Sequence, residues 1–162
     1  MKDFFGEENV AKAKYAHLSG ALSTIPYLVS VDEFQHRVYA KPEMTAKERR
    51  AVWHEIEQTY MPWRDYDGVP FLEEGGFWMQ KQHIFLYPFY YVDYALAQVC
   101  AFEFYGRMKK DHADAWKSYL ALCRAGGSKG YFELLQLAGL SNPFVEGSVE
   151  KAVRHVIEEL NV

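Results

Sequence analysis

The chain has 162 residues, a length typical of one domain with a substantial hydrophobic core. Its formal net charge of −4, with basic residues scattered among acidic ones, argues against nucleic acid as a partner. There is no apolar run long enough to cross a bilayer and no apolar signal segment near Met1, so we expect a cytoplasmic protein without a membrane partner.

Apolar residues recur at helical spacing along most of the chain. Residues 7–40 are predicted to be helical, with a break or kink at Pro26, because proline lacks the backbone donor that a helix interior needs. Thr45 and Glu48 form a capping-box pattern, in which each side chain can bond to the other residue's amide. A second helix is therefore predicted over about 46–60.

Residues 61–76 are rich in proline and glycine, and this composition favours a loop or short turns over a long helix. The most apolar segment, from Pro88 to Lys110, predicts a buried central helix. Three further helices are predicted: one from Asp111 or His112 to Gly126, one capped by Ser128 and ending at Gly139, and one over about 149–160 capped by Ser148. No period-2 alternation is convincing, so the predicted fold is all-α, with about six or seven helices in one domain over residues 1–162.

Two histidines lie near glutamates at spacings that metal sites use. The HExxH zinc motif needs two histidines one helical turn apart, but the pattern that begins at His54 and Glu55 has Gln58 in the second histidine position. Glu33 and His36 have the Glu-x-x-His spacing of helical di-iron proteins, yet no second copy of that motif is present. We therefore expect this chain to form no metal site, and a di-iron protein is a distant alternative.

One short segment has the highest density of titratable aromatic side chains: His83, Tyr87, Tyr90, Tyr91 and Tyr94. If a helix begins near Pro88, Tyr91 and Tyr94 share one of its faces. Phenol hydroxyls there can donate to a carbonyl oxygen on which negative charge develops. The composition alone leaves a second interpretation open, in which these rings belong to the core of a buried helix.

Several short motifs follow one another along nearly the whole chain: VDEFQH at 31–36, RDY at 64–66, GGFW at 75–78, HIF at 83–85, PFYYVDYALAQ at 88–98, GGSK at 126–129, LAGL at 137–140 and PF at 143–144. Their order and spacing together resemble the C-terminal part of the M3-family zinc oligopeptidases of the oligoendopeptidase F type. The resemblance implies a helical C-terminal fragment of a larger peptidase catalytic domain that hydrolyses short peptides. Zinc in that family is held by HExxH and a further Glu, which would lie upstream of Met1.

The resemblance also implies roles for the aromatic segment. His83 is expected to hydrogen-bond the substrate, and Tyr91 and Tyr94 are expected to position it or to stabilise the tetrahedral intermediate. Tyr87 and Tyr90 are weaker candidates for substrate binding.

Because the zinc motif is absent from these residues, we expect the chain alone to be inactive. Its expected partners are short peptides, an HExxH-bearing segment or a second copy of the chain. The alternative is a non-catalytic helical module that binds peptides or proteins.

Overall fold

The computed structural model describes residues 2–160, and within them it contains nine α-helices and no strand. The helices are α1 (Lys2–Phe5), α2 (Val10–Ala40), α3 (Ala46–Tyr60), α4 (Pro70–Glu73), α5 (Gln82–Leu86), α6 (Asp93–Lys110), α7 (His112–Ala125), α8 (Tyr131–Ala138) and α9 (Ser148–Leu160). Two 3-10 helices, Glu7–Asn9 and Phe77–Gln80, lie between them. The all-α prediction is confirmed. The count exceeds six or seven because α1, α4 and α5 have only four or five residues, too few to produce a helical period in the sequence.

The chain length predicted a single helical domain. In the structure, the chain divides into two compact units. The central unit is Ser23–Ala95, and the terminal unit combines the stretch up to Leu22 with the stretch from Leu96 onwards. Among the described residues, no helix combines the length and the apolar character needed to cross a membrane.

Pro26 lies inside α2, which continues through it from Val10 to Ala40, so a division into two helices is wrong and a kink in one helix stays a prediction. A proline in a helix interior costs about 3 kcal/mol because a donor is lost and its ring crowds the preceding turn. Burial of the following residues offsets this cost, since Leu28 and Val31 are almost fully buried and each such side chain contributes about 1.5–3 kcal/mol.

The core of the central unit is a group of large apolar side chains from α2, α3 and the segment after Gly76: Val31, Phe34, Trp53, Ile56, Trp78 and Ile84. The predicted capping box starts α3, where the Thr45 amide donates to a Glu48 carboxylate oxygen at 2.7 Å and the Glu48 amide donates to the Thr45 hydroxyl. Because Ile84 is 8% exposed, the short helix α5 is anchored in this core.

A buried carboxylate orders the segment that follows α3. Glu57 is only 2% exposed, and it accepts hydrogen bonds from Arg64 Nη1 at 3.1 Å and from the Tyr66 hydroxyl at 2.5 Å. Burial, together with the hydrogen bond to Glu57, raises the pKa of Tyr66, so the phenol keeps its proton. The Arg64 guanidinium also lies over the Phe77 ring, 4.3 Å from its centre. The first part of the segment predicted as a loop or short turns is thus held by a buried charge that is costly to leave unpaired, and a short helix, α4, follows within it.

In the terminal unit, the predicted Ser128 cap is wrong. Helix α8 begins at Tyr131, and the Gly130 amide before it donates to the Glu133 carboxylate at 3.1 Å. The predicted end at Gly139 is confirmed, since that residue adopts a left-handed φ of 63° that glycine tolerates without strain.

The Glu159 carboxylate connects three elements of the terminal unit. It accepts from Lys109 Nζ and from the Tyr105 hydroxyl, both at 2.7 Å, and it forms an ion pair with Lys14. The hydrogen bonds from Lys109, Lys14 and Tyr105 lower the pKa of Glu159 to about 2 from an ordinary value of 4.5.

We expect Glu159→Gln to lower the free energy of unfolding at neutral pH by on the order of 1 kcal/mol, because charges near the surface are screened by solvent. A lowered folded-state pKa stabilises above the unfolded value, so this contribution is complete above about pH 4.5 and is lost as the pH falls towards about 2. Urea unfolding at several pH values measures the effect. The neighbouring exposed variant Glu158→Gln is the control, and equal losses in both variants would contradict the prediction.

Candidate active-site cluster

The five predicted aromatic residues lie on consecutive turns of the chain in the central unit. Helix α5 carries His83, whose carbonyl accepts from the Tyr87 amide at 2.9 Å. The Tyr90 amide then donates to the Tyr87 carbonyl at 3.2 Å, and the Asp93 amide donates to the Tyr90 carbonyl at 3.1 Å. Because α6 begins at Asp93, Tyr94 lies in its first turn. The chain therefore turns twice within a few residues and returns its aromatic side chains to one place.

The five rings form a contiguous cluster around His83, which we call the His83 cluster: His83, Tyr87, Tyr90, Tyr91 and Tyr94. The centre of the His83 ring lies 4.8 Å from that of Tyr91, and it is nearly parallel to Tyr90 at 6.5 Å. Tyr94 meets the His83 ring edge-on at 6.2 Å. These are ordinary aromatic contact distances. The structure brings all five predicted residues together, while their roles in catalysis stay predictions.

The helical face predicted for Tyr91 and Tyr94 is wrong. Phe89 has a left-handed φ of 63°, which interrupts any helix that begins at Pro88, and α6 starts only at Asp93. Tyr91 and Tyr94 nevertheless lie together, with ring centres 5.6 Å apart, because the turns bring them into contact.

The interpretation of these rings as buried core is wrong for three of them, since Tyr87, Tyr90 and Tyr94 are 58%, 48% and 46% exposed. Tyr91, in contrast, is partly buried and packs against the core of the central unit. The cluster is therefore an aromatic surface whose hydroxyl groups can meet a ligand.

Two residues beside the cluster had no signal in the sequence, Lys81 and Tyr27. Lys81 Nζ donates to the Tyr91 hydroxyl at 3.0 Å, and it lies 4.8 Å from the centre of the Tyr91 ring and 5.2 Å from that of Tyr27. Tyr27 meets Tyr91 edge-on at 5.9 Å. A cation between two phenol rings is attracted to both. Because the Tyr91 oxygen accepts from Lys81, its own proton is left for another acceptor.

The protonation of the neighbouring tyrosine also suits hydrogen-bond donation. Hydrogen bonding with Tyr90 raises the pKa of Tyr94 above its ordinary value, so Tyr94 is a neutral phenol at neutral pH. Within residues 2–160, neither ring nitrogen of His83 has a hydrogen-bond partner. The imidazole can therefore donate to or accept from a bound molecule.

The described residues do not fit a zinc ion. None of them form a group of three or more His, Cys, Asp or Glu side chains that could hold a metal. Glu33 and His36 do not act together, since Glu33 pairs with Arg37 and His36 lies 3.5 Å from Asp32. Burial raises the pKa of Asp32, and the repulsion by Asp93 adds to it.

Solved structures match the fold of this chain over nearly its whole length. A structure assigned to oligoendopeptidase F is 52% identical, with a TM-score of 0.94 over 99% of this chain and 28% of its own. A structure of PZ peptidase A with an inhibitor is 48% identical, with a TM-score of 0.91 over 96% of this chain and 28% of its own. The chain is homologous to the C-terminal part of oligoendopeptidase F. The resemblance of the sequence motifs is thereby confirmed.

Two more distant relatives agree with this. A structure assigned to oligoendopeptidase F from Bacillus anthracis strain Ames is 39% identical, with a TM-score of 0.76 over 96% of this chain and 24% of its own. The oligoendopeptidase F homolog of Borreliella burgdorferi is 28% identical over 142 residues, or 83% of this chain and 23% of its own. No protein-family model matches the chain. The chain thus spans about a quarter of the length of these relatives.

Lys81→Met should raise the pKa of the Tyr27 phenol. Burial already raises this pKa, and the Lys81 charge opposes the increase by favouring the phenolate. Removing that charge leaves burial with less opposition, so Tyr27 should ionise at a higher pH. NMR titration of ¹³Cζ-labelled tyrosine, with the signal assigned from Tyr27→Phe, measures the shift. Lys110→Met in the terminal unit is the control, and an unchanged Tyr27 titration in Lys81→Met would contradict the interpretation.

Proposed function

We propose that this chain forms the substrate-binding side of a zinc oligoendopeptidase that hydrolyses peptide bonds in short peptides. The observation that carries the proposal is the His83 cluster, where an unpaired imidazole and exposed phenol hydroxyls meet on one surface. The homology to oligoendopeptidase F supports the peptidase assignment.

In this proposal, the residues of the cluster hold the peptide and stabilise charge on its carbonyl oxygen. His83 hydrogen-bonds the peptide backbone. Tyr94 is a neutral phenol and donates to the carbonyl oxygen, and Tyr91, whose oxygen already accepts from Lys81, donates its proton in the same direction. Tyr87 and Tyr90 line the approach of the peptide. Donors that are already in place before the reaction are typically worth about 10²–10³ in kcat.

The zinc ion of the proposal belongs to residues outside this chain. The described residues do not fit a metal, and the sequence has no HExxH motif. When it is bound, zinc activates water and polarises a carbonyl. The residues of this chain contribute binding and positioning, so we propose that the chain alone is inactive.

A chimera tests the function. In the structurally similar oligoendopeptidase F, the homologous 28% of the chain is replaced by this chain, and cleavage of a short fluorogenic peptide is measured with and without a chelator. We expect chelator-sensitive cleavage. In this chimera, Tyr94→Phe should lower kcat by about 10²–10³, with a smaller change in KM, because its hydroxyl acts on the developing charge.

Tyr15→Phe is the matched control, since Tyr15 is 57% exposed and lies in the terminal unit. It should leave kcat unchanged, and the free chain with added zinc should cleave nothing. Cleavage by the free chain, or an equal loss in both tyrosine variants, would refute the assignment.

The second candidate is a non-catalytic module that binds peptides or proteins. The exposure of the aromatic rings favours it, because such surfaces commonly mark contacts with other molecules. The same chimera separates the two proposals. A chimera that binds the peptide but never cleaves it supports the binding module.

We also expect the chain to self-associate. Large apolar side chains remain exposed in both units: Phe4, Trp63, Phe85, Leu86, Phe132 and Phe144. Association would remove this surface from water. Sedimentation velocity over a range of concentrations should show a rising average mass, and a constant monomer mass at high concentration would contradict this prediction.

A further inference from the structure

Lys81 is held at both its backbone and its ammonium group, two residues before His83. Its amide donates to the Trp78 carbonyl at 3.0 Å, and its carbonyl accepts from the Ile84 amide at 3.1 Å. At the other end of the side chain, Nζ donates to the Tyr91 hydroxyl at 3.0 Å. Ordering a long lysine side chain costs rotamer entropy, so these contacts must offset that cost.

The ring of Tyr27 holds the same ammonium from a second direction. Two cations lie over this ring, with Lys81 Nζ 5.2 Å and the Arg64 guanidinium carbon 5.5 Å from its centre. A cation over a phenol ring is attracted to the negative charge of the ring face. Arg64 is bound in turn by the buried Glu57 carboxylate at 3.1 Å. Contacts therefore run without a break from the buried charge of Glu57 to the hydroxyl of Tyr91.

The ammonium fixes the direction in which the Tyr91 hydroxyl can donate. Burial lowers the pKa of Lys81, but the hydrogen bond to Tyr91 and the attraction by the two phenols raise it above its ordinary value, so Lys81 is charged at neutral pH. An ammonium has three donors and no acceptor, so the Tyr91 oxygen must accept in this bond. The positive charge repels the phenol proton, which therefore points away from Lys81. Accepting from a cation also strengthens the hydroxyl as a donor, because linked hydrogen bonds polarise one another.

We infer that Lys81 is a positioning residue for peptide cleavage, because it turns the proton of Tyr91 towards the carbonyl oxygen of a bound peptide. The inference rests on the proposed function and deepens it. Tyr91 is partly exposed and contacts His83 and Tyr94, so its proton can reach a molecule bound at the His83 cluster. Lys81 does not touch the peptide and acts through Tyr91 alone. Without the ammonium, the hydroxyl can rotate, and only a fraction of the molecules present this donor when charge develops.

A double-mutant cycle in the chimera tests this role. We expect Lys81→Met to lower kcat by about 10–100-fold with a smaller change in KM, because the donor remains but loses its direction. In the Tyr91→Phe background, Lys81→Met should lower kcat by about twofold or less, since the hydroxyl through which it acts is gone. Lys81→Arg keeps a charged donor and should retain more activity than Lys81→Met. Lys110→Met, in the terminal unit, is the control and should leave kcat unchanged.

The kinetic results separate this inference from the peptidase proposal. A higher KM with an unchanged kcat in Lys81→Met would mean that the ammonium binds the peptide itself. Equal losses from Lys81→Met with and without the Tyr91 hydroxyl would mean that Lys81 does not act through it. Either result overturns the inference and leaves the peptidase proposal standing. An unaltered chimera that cleaves nothing refutes the peptidase proposal and, with it, the role of Lys81.

Titration of Lys81 in the free full chain requires no cleavage. Burial lowers the pKa of Lys81 and the hydrogen bond to Tyr91 opposes that effect, so Tyr91→Phe should lower this pKa. NMR of ¹³Cε-labelled lysine, with the signal assigned from Lys81→Arg, measures the shift. Tyr15→Phe changes an exposed tyrosine of the terminal unit and should leave the titration of Lys81 unchanged. An unchanged Lys81 pKa in Tyr91→Phe would overturn the inference, whatever the chimera does.

Discussion

Tyr27 is the side chain on which the aromatic arrangement of the central unit depends. It meets Trp53, Phe77 and Tyr91 edge-on, at ring-centre distances of 6.3, 5.9 and 5.9 Å. Each such pair contributes about 0.5–1.5 kcal/mol beyond its buried area. Because Trp53 is fully buried and Tyr91 belongs to the His83 cluster, Tyr27 links the rigid core to the surface where we place the chemistry. Lys81 packs on the phenol rings of Tyr27 and Tyr91 and strengthens that link.

Two of the buried polar side chains in the central unit, Glu57 and Gln35, differ in whether they are paired. Glu57 has a partner for its charge in Arg64 and a second donor in Tyr66, and this network fixes the chain between α3 and Phe77. Gln35, buried to the same degree, has no partner among the described residues. A paired buried charge builds structure, whereas an unpaired buried amide costs stability.

The sequence predicted features whose cause is local and missed those whose cause is distant. The capping box of Thr45 and Glu48 involves residues three apart, and both of its hydrogen bonds form. The approach of Lys81 to Tyr27 joins residues far apart in sequence, and no spacing rule reveals it. The membership of the His83 cluster was predicted, yet for a wrong reason, because a left-handed Phe89 replaces the expected helix start with turns. Helical periodicity carries no information about a single strained residue.

That strained residue bears on how the proposed site works. A non-glycine residue in the left-handed region costs about 1–3 kcal/mol, and it persists only when neighbouring contacts hold it. The Phe89 ring packs on His36 and Tyr39 of α2, at ring-centre distances of 4.8 and 5.1 Å, and these contacts offset the strain. The turns that assemble the cluster are thus held by side chains of the central unit itself. For the proposed peptidase function, this means that the hydrogen-bond donors have their relative positions before a peptide binds, as stabilisation of a developing charge requires.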